Sequence, residues 1–389
     1  MPFFYIKVYN TRIERSTLGG SELQNARNKK IGMLGGTFNP IHTAHVDMGR
    51  LVREEFDLDE VLFIPAGDPP HKAVEGAVCA AHRARMTQLA LRGLPGLSMS
   101  DIELDRAGKS YTIDTVAALS ALYPGAAIYI VVGSDMLRDL PHWHRARELL
   151  QKAAFIGVPR QGRDHNDAEA LSLLAQYGAR VPLSKSKAPP ISSTMVRAGI
   201  YKAQPITGFT PPAVERYIYL HMLYQPPDIS AIAKRLRGML SPSRYAHTAG
   251  VVQEAIALAA RYGVCADAAR LAALLHDCGR SRDIGALTHA QAGAAVARDM
   301  FGVSDEAVLS AIRRHTTLGA GATKLDKIIC LADMLEPGRD YEGVEALRAA
   351  AETSLDDALR RALLHTVAYV KSTGGEVDEG SLLALRELS

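Results

Sequence analysis

Two histidines three residues apart, His42 and His45, close the segment Gly35-Gly-Thr-Phe-Asn-Pro-Ile-His-Thr-Ala-His45. A short apolar run, Ile31–Leu34, precedes it and helical sequence follows, so the segment reads as strand, glycine turn and helix start. Such a turn lets backbone approach an anion closely and aims free N–H groups and the helix dipole at it. The spacing of the histidines is about one helical turn, which lets both imidazoles face the same phosphates. No Gly-Lys-Ser/Thr follows, so this is not a Walker loop. A second group of chemistry-bearing residues lies in the C-terminal half, where Leu271-Ala-Ala-Leu-Leu-His276-Asp277 ends an apolar helix in two adjacent metal-ligand types. A buried His-Asp pair is costly unless each group is bonded, and a divalent cation resolves that cost. His247, His289, His315 and Asp333 lie on other helical stretches. Four histidines and two aspartates could converge on one or two cations in a bundle core.

The elements that must position these groups fall into two textures. Strand-like runs at Ile31–Leu34, Glu60–Ile64, Ala127–Val132 and Ala153–Val158 alternate with helix-like sequence from about His45 to Glu55 and at His82–Leu91. That alternation predicts an α/β domain with a doubly wound parallel sheet. Ligands of such sheets bind at the carboxyl ends of strands, where Gly35-Gly36, Pro65-Ala-Gly67 and Gly133-Ser-Asp135 fall. A helix over Ala213–Tyr224 closes this half, and Gln225-Pro-Pro-Asp228 reads as a linker. From Ile229 onward the period is near 3.6 with no convincing strand, which predicts an all-α second domain. The expected organisation is a disordered extension over 1–29, an α/β domain over 30–224, a linker over 225–229 and a helical domain over 230–389.

A length of 389 residues suits two domains, and 47% hydrophobic with 22% charged residues is ordinary for a globular protein. The net charge of only +3 argues against nucleic acid as the main partner. Four scattered cysteines form no C-x-x-C pair, which predicts reduced thiols and a cytoplasmic setting. No apolar run reaches the ~18 residues of a membrane span, so no membrane partner is expected. The apolar start Met1–Tyr9 is interrupted by Lys7 and makes a poor signal peptide. A homo-oligomer is compatible with the sequence.

The first segment also carries a resemblance. Gly35–His45 together with Ile191-Ser-Ser-Thr-Met-Val-Arg197 resembles the H-x-G-H-type nucleotidyltransferases, and more narrowly bacterial nicotinate-nucleotide adenylyltransferase. Ile64-Pro-Ala-Gly-Asp-Pro-Pro-His71-Lys72, Ser110-Tyr-Thr-Ile-Asp-Thr115, Val132-Gly-Ser-Asp135 and Trp143 extend it over about Lys30 to Tyr224, with Ala44 standing where the superfamily often has Gly. The resemblance implies that ATP, with Mg²⁺, and nicotinate mononucleotide give the dinucleotide and pyrophosphate. The mononucleotide's phosphate would attack in line, so catalysis would be positioning and charge stabilisation. It assigns His42 and His45 to the phosphates, with Gly35, Gly36, Thr37 and Phe38 beside them. Ile191, Ser192 and Ser193 would open a second phosphate-facing helix, with Arg197 on the leaving pyrophosphate. Lys72 would be a further cation, Asp135 would lie near a ribose, Tyr111 and Thr112 would meet the nicotinate carboxylate, and Trp143 would stack on the pyridine. The rival is another adenylyltransferase, such as one acting on phosphopantetheine.

In the helical half, the order His…His-Asp…His…His…Asp resembles the HD-domain phosphohydrolases, over about Ser230 to Leu385. Within them it is similar to the bacterial subgroup that cleaves diadenosine tetraphosphate symmetrically to ADP. The resemblance implies that His247, His276, Asp277 and Asp333 hold one metal, while His289 and His315 imply a second. Imidazole and carboxylate ligands suit iron, manganese or cobalt. Such a cation would acidify a bound water from ~15.7 to roughly 7, supplying a nucleophile for phosphorus. Asp277 is then catalytic as well as a ligand. Arg280 stands where many HD domains have Lys, and it and Arg339 are candidates for substrate phosphate. The rivals are a plain nucleotidase and a nucleotide-sensing regulatory module.

Overall fold

The computed structural model describes residues 29–67, 78–104, 106, 110–162, 167–281 and 288–388. In chain order its first elements are β1 (Lys30–Gly36), α1 (Thr43–Glu55), β2 (Glu60–Pro65), α2 (Ala80–Leu91), β3 (Leu97–Met99), α3 (Thr112–Leu122) and β4 (Ala127–Gly133). There follow α4 (Ala146–Lys152), β5 (Ala154–Val158), α5 (Asp167–Gln176), α6 (Ser193–Tyr201), α7 (Pro212–Leu220) and α8 (Pro227–Arg237). The remaining helices are α9 (Pro242–Tyr262), α10 (Ala266–Leu275), α11 (His289–Phe301), α12 (Glu306–Arg314) and α13 (Lys324–Leu335). The last are α14 (Val344–Ala351), α15 (Leu355–Ser372) and α16 (Glu379–Glu387). By their contacts the residues divide into two units. One comprises the described residues of Met1–Thr37, Asp47–Lys72 and Gly93–Pro189, the other those of Phe38–Val46, Ala73–Arg92 and Pro190–Ser389.

The first unit is built on a five-stranded sheet in the order β3-β2-β1-β4-β5, every pairing parallel. Its strands are apolar runs buried on both faces, as Val61–Pro65 is throughout, and that is what a parallel sheet covered by helices demands. Ile31 pairs with Glu60 on one side and with Ile128 on the other, so β1 is the central strand. Strand order runs outward in opposite senses from β1 and β4, which makes their carboxyl ends the switch point where ligands bind. Helix α3 turns Ile113, Val116 and Leu119 onto the core of Ile31, Met33, Ile64, Ile130 and Phe155. The α/β doubly wound fold expected from sequence is present.

The second unit is helical wherever it has regular structure. Its longest helix, α9, starts at Ser241, whose side chain accepts from the Arg244 amide, has Pro242 in the first turn, and ends at Gly263 with φ +66°. Each of these is a favoured boundary residue for a stated reason: an acceptor for a free N–H, a pre-set φ, and a left-handed cap. Val251, Val252, Ala255, Ile256, Leu258 and Ala259 make its apolar face. That face packs against α10 and α13, and α12 joins α11 to α13. Among the described residues no helix is long and apolar enough to cross a membrane. All four cysteines are free thiols.

The structure differs from the sequence expectations at several places. Strand β3, three residues long, carries no sequence signal of its own. The helix expected over Ala213–Tyr224 ends at Leu220, and the chain turns through left-handed Met222 and Tyr224 instead. Within the segment read as a linker, Pro227 begins α8, and buried Gln225 accepts from Arg270 Nη1 at 3.1 Å. Pro at a helix start is pre-organised rather than disruptive. By contacts, Pro190–Tyr224 groups with the helical unit. The extension expected over 1–29 lies, but for residue 29, outside the described residues, as does Lys72.

Candidate active sites

In the first unit, β1 ends in Gly35 and Gly36, and the chain passes through Thr37. These three line a cavity together with Tyr111, Thr112, Trp143 and His144. Tyr111 precedes α3 and Thr112 opens it, and Trp143 follows the single turn Leu140–His142, so two chain reversals aim the aromatics at the end of β1. His144 stacks on Tyr111 with ring centroids 4.1 Å apart and planes 29° from parallel. Glu103, buried in the same wall, accepts from Thr115 Oγ1 at 2.7 Å, and burial raises its pKa above the ordinary carboxylate value. Sequence reading named Tyr111, Thr112 and Trp143 and missed His144 and Glu103. His144 lies beside the tryptophan in the chain, a signal overlooked. Asp135 sits just beyond β4, 3.6 Å from Arg160 Nη1.

In the second unit, Phe38–His45 and the start of α6 form a packed cluster. Buried His42 lies stacked on His45, centroids 3.6 Å apart, and the edge of Phe38 meets His45 at 5.0 Å. The His42 amide donates to His45 Nδ1 at 3.3 Å, which makes Nε2 the protonated nitrogen of a neutral His45 ring. The Asn39–Pro40 bond is cis. Ser193 Oγ donates to Pro40 O at 2.8 Å and Arg197 Nη1 to Asn39 O at 2.7 Å. Asn39 Oδ1 in turn accepts from Tyr224 Oη at 2.8 Å. Ser192, preceded by Ile191, caps α6 by accepting from the Met195 amide at 3.3 Å. The two sequence-distant motifs, Phe38–His45 and Ile191–Arg197, are thus brought together, and Arg197 keeps further N–H donors beyond its bond to the loop.

The six residues expected as metal ligands also converge, and each comes from a helix or its boundary. His276 and His315 directly follow α10 and α12, and each ring Nδ1 lies on the carbonyl three residues back, Ala273 O at 2.8 Å and Ile312 O at 2.7 Å. Those last-turn carbonyls are free to accept, which places the proton on Nδ1 and leaves Nε2 with a lone pair. Both Nε2 atoms are buried without a hydrogen bond. His247 on α9 has Nε2 3.0 Å from Asp333 Oδ1 and Nδ1 3.3 Å from Glu336 Oε1. Glu336 reaches it only because residue 250 is glycine, since a Cβ there would lie 2.3 Å from Glu336 Oε2. Asp277 Oδ1 has His315 Nε2 at 3.6 Å and His289 Nε2 at 3.7 Å, and its Oδ2 has His276 Nε2 at 3.6 Å. Gly279 allows this turn to lie against α11, because a Cβ there would meet Gly293 N at 2.5 Å. Three groupings, His247–His276–Asp277, His276–His315–Asp333 and Asp277–His289–His315, have their ligand atoms within 4.8 Å of one another. Unpartnered buried imidazole nitrogens facing carboxylates are the donor set of a divalent cation, so the residues fit the metal that the pattern implies.

Three arginines surround the cluster. Arg244 Nη1 meets Asp277 Oδ2 at 3.0 Å, Arg280 Nε meets Asp277 Oδ1 at 2.6 Å, and Arg339 Nη2 meets Asp333 Oδ1 at 2.7 Å. Arg244, missed in the sequence, is one helical turn before His247 and so shares its face. Burial alone would raise Asp277, but His315, His276 and Arg280 outweigh it and hold the carboxyl well below its usual range. Asp333 is likewise held low against its burial by His247, His276 and His315. Burial, reinforced by His315, pushes His276 down to about 4, and burial with Arg280 does the same for His289. His247 goes the other way, because its bonds to Asp333 and Glu336 outweigh its burial. A histidine lowered on folding costs stability as pH falls from its ordinary 6.5 toward its folded value. The raised His247 contributes below the ordinary value and loses that contribution as pH rises through its folded one. His82 and His221 are lowered too, so four lowered histidines stand against the raised His247, and metal-free protein should lose stability between pH 6.5 and about 4. A melting temperature that stays flat across that window in chelator-treated protein would contradict this balance.

Comparison with known proteins bears on both halves. Residues 33–199 match the cytidylyltransferase-like family model and residues 244–338 match the HD domain model. A Synechococcus protein described as a probable nicotinate-nucleotide adenylyltransferase is 39% identical over 205 residues, which is 100% of its length and 52% of this chain. The chain belongs to the nicotinate-nucleotide adenylyltransferase family. A Bacillus pumilus protein of the same description is 41% identical over 197 residues, 99% of its length and 51% of this chain. These adenylyltransferase relatives account for about half of the chain. A Clostridium acetobutylicum crystal structure, described as a predicted HD superfamily hydrolase involved in NAD metabolism, is 34% identical over 41% of this chain and 95% of its own, with TM-score 0.39. The chain therefore joins an adenylyltransferase half to a metal-binding helical half of HD type.

Proposed function

We propose that the adenylyltransferase half transfers the adenylyl group of ATP, with Mg²⁺, to nicotinate mononucleotide, and that the HD-type half hydrolyses diadenosine tetraphosphate symmetrically to two ADP. The observation that carries the first reading is the cavity at the end of β1, walled by Tyr111, Thr112 and Trp143 beside the Gly35–Thr37 turn. An aromatic wall next to a backbone turn suits a flat pyridine ring on a phosphorylated ribose, and suits a flexible pantetheine arm less well. In this reading the mononucleotide's phosphate oxygen forms the new bond to the α-phosphorus of ATP while the bond to pyrophosphate breaks. His42 and His45 neutralise the phosphates, Arg197 holds the leaving pyrophosphate, and Asp135 meets a ribose. Purified protein given ATP should release pyrophosphate with nicotinate mononucleotide, and much less with nicotinamide mononucleotide or phosphopantetheine. No release with nicotinate mononucleotide would sink the assignment. Trp143→Ala should raise KM for the mononucleotide about 2–12-fold with little change in kcat, the value of about 0.5–1.5 kcal/mol for an aromatic stack.

For the HD-type half the carrying observation is the pair of buried, hydrogen-bond-free Nε2 atoms of His276 and His315 facing Asp277 and Asp333. His247, His276, Asp277 and Asp333 would hold a cation, and iron, manganese or cobalt suits such ligands. When bound, the cation polarises a phosphoryl oxygen and acidifies water. Arg244 and Arg339, each about 38% exposed and adjacent to the ligands, are placed to receive the polyphosphate. A site built only for sensing would need no such hydrolytic ligand set. Hydrolysis that persists in fully metal-stripped protein would overturn this reading, and AMP rather than ADP as the product would overturn the symmetrical cleavage.

A further inference from the structure

The number of cations held by the six ligands turns on Arg280, and the argument rests on reading the cluster as a cation site. The grouping Asp277–His289–His315 converges on Asp277 Oδ1, with His315 Nε2 at 3.6 Å and His289 Nε2 at 3.7 Å. Arg280 enters the same grouping. Its Nε donates to Asp277 Oδ1 at 2.6 Å and its Nη2 to His289 Nε2 at 2.9 Å. Nε and Nη2 share one edge of a planar group, so one rigid, permanently charged fork satisfies a carboxylate and an imidazole at once. A lysine ammonium, a compact point charge, has no such edge.

The other two arginines do something different. Arg244 bonds Asp277 Oδ2 and Arg339 bonds Asp333, and neither has a hydrogen bond to a ligand imidazole. His276 Nε2, shared by the two groupings that contain His247 or Asp333, is buried and makes no hydrogen bond. Around His247 and His276 the guanidinium groups thus meet only the carboxylates, whereas Arg280 holds a positive charge on both a carboxylate and an imidazole, two of the three ligands of its grouping. We infer that the Arg280 guanidinium stands in for a second cation, so that the chain binds one divalent ion tightly, at His247, His276, Asp277 and Asp333. An incoming second ion would have to break both Arg280 bonds and then remain beside the displaced positive charge. The position that differs from the common Lys is thus the one that sets the metal count.

The test is a Mn²⁺ titration of the chelator-stripped full chain, followed by calorimetry and electron paramagnetic resonance. Wild type should bind one tight equivalent and give the signal of an isolated ion. Arg280→Ala should bind two, with the second site tightened about 10–100-fold and the spectrum showing two coupled ions. Arg280→Gln, checked by its melting curve, serves if the alanine variant does not fold. Two tight, coupled equivalents in wild type would overturn the inference and leave the cation site standing. A single equivalent in a folded Arg280 variant would overturn it equally. No tight binding in any protein would overturn the cation reading itself.

Discussion

Replacing Asp277 by Asn is expected to abolish hydrolysis by the helical half, with a loss on the order of 10³-fold or more, while adenylyl transfer in the same preparation is unchanged. The reason is that Asp277 is not one ligand among equals. It belongs to two of the three ligand groupings, with Oδ2 facing His276 and Oδ1 facing His289 and His315. Asparagine keeps the shape but removes the charge, so the donor set loses the carboxylate common to two of its groupings. Folding should survive, because the two arginines that lose their ionic partner, Arg244 and Arg280, are each about 38% exposed and can turn to water. Glu336→Gln gives the graded comparison. It keeps an acceptor near His247 Nδ1 without the charge, and loss of such an orienting partner costs about 10–100-fold in metal affinity. Hydrolysis of Asp277→Asn within tenfold of wild type, measured as ADP release, would remove this residue from the centre of the site.

The two sites were legible in the sequence to different depths, for physical reasons. The ligands of the helical half could be named because histidine and aspartate at the ends of apolar helices are costly and therefore conspicuous, as at Leu271–Asp277. What orders them was not legible. Glu336 reaches His247 only across the gap left by Gly250, and the turn at Gly279 lies on α11 only for want of a side chain. Contacts of that kind join residues many positions apart and leave no periodicity. The strands were legible because fully buried parallel strands read as unbroken apolar runs, but three-residue β3 falls below the length at which such a run stands out. The start of α8 at Pro227 was not legible for the opposite reason: two prolines look like punctuation whether they separate domains or open a helix. Arg280 was noticed as a departure, but its partner His289 was taken as a ligand alone. The bond between them depends on the approach of α11 to the turn Cys278–Ser281.

The histidine pair offers an equally large effect with a finer discrimination. His45→Ala is expected to lower kcat for adenylyl transfer about 10²–10³-fold, the usual cost of removing one preorganised donor, and to leave hydrolysis unchanged. Two further substitutions separate the roles of its two nitrogens. The His42 amide donates to Nδ1 at 3.3 Å, a local bond that orders the turn into α1. Asparagine can retain an acceptor near Nδ1 but carries nothing at the position of Nε2. Glutamine reaches the Nε2 position with an N–H donor and gives up the local acceptor. If the ring acts by donating from Nε2 to phosphate charge that grows in the transition state, His45→Gln should keep more of kcat than His45→Asn, with KM for ATP moving less than kcat in both. If the ring only shapes the turn, the order reverses and the loss appears in melting temperature as well as in rate. His42, whose ring centroid lies 3.6 Å from that of His45, is itself buried, so single substitution at His45 is sufficient to show the effect.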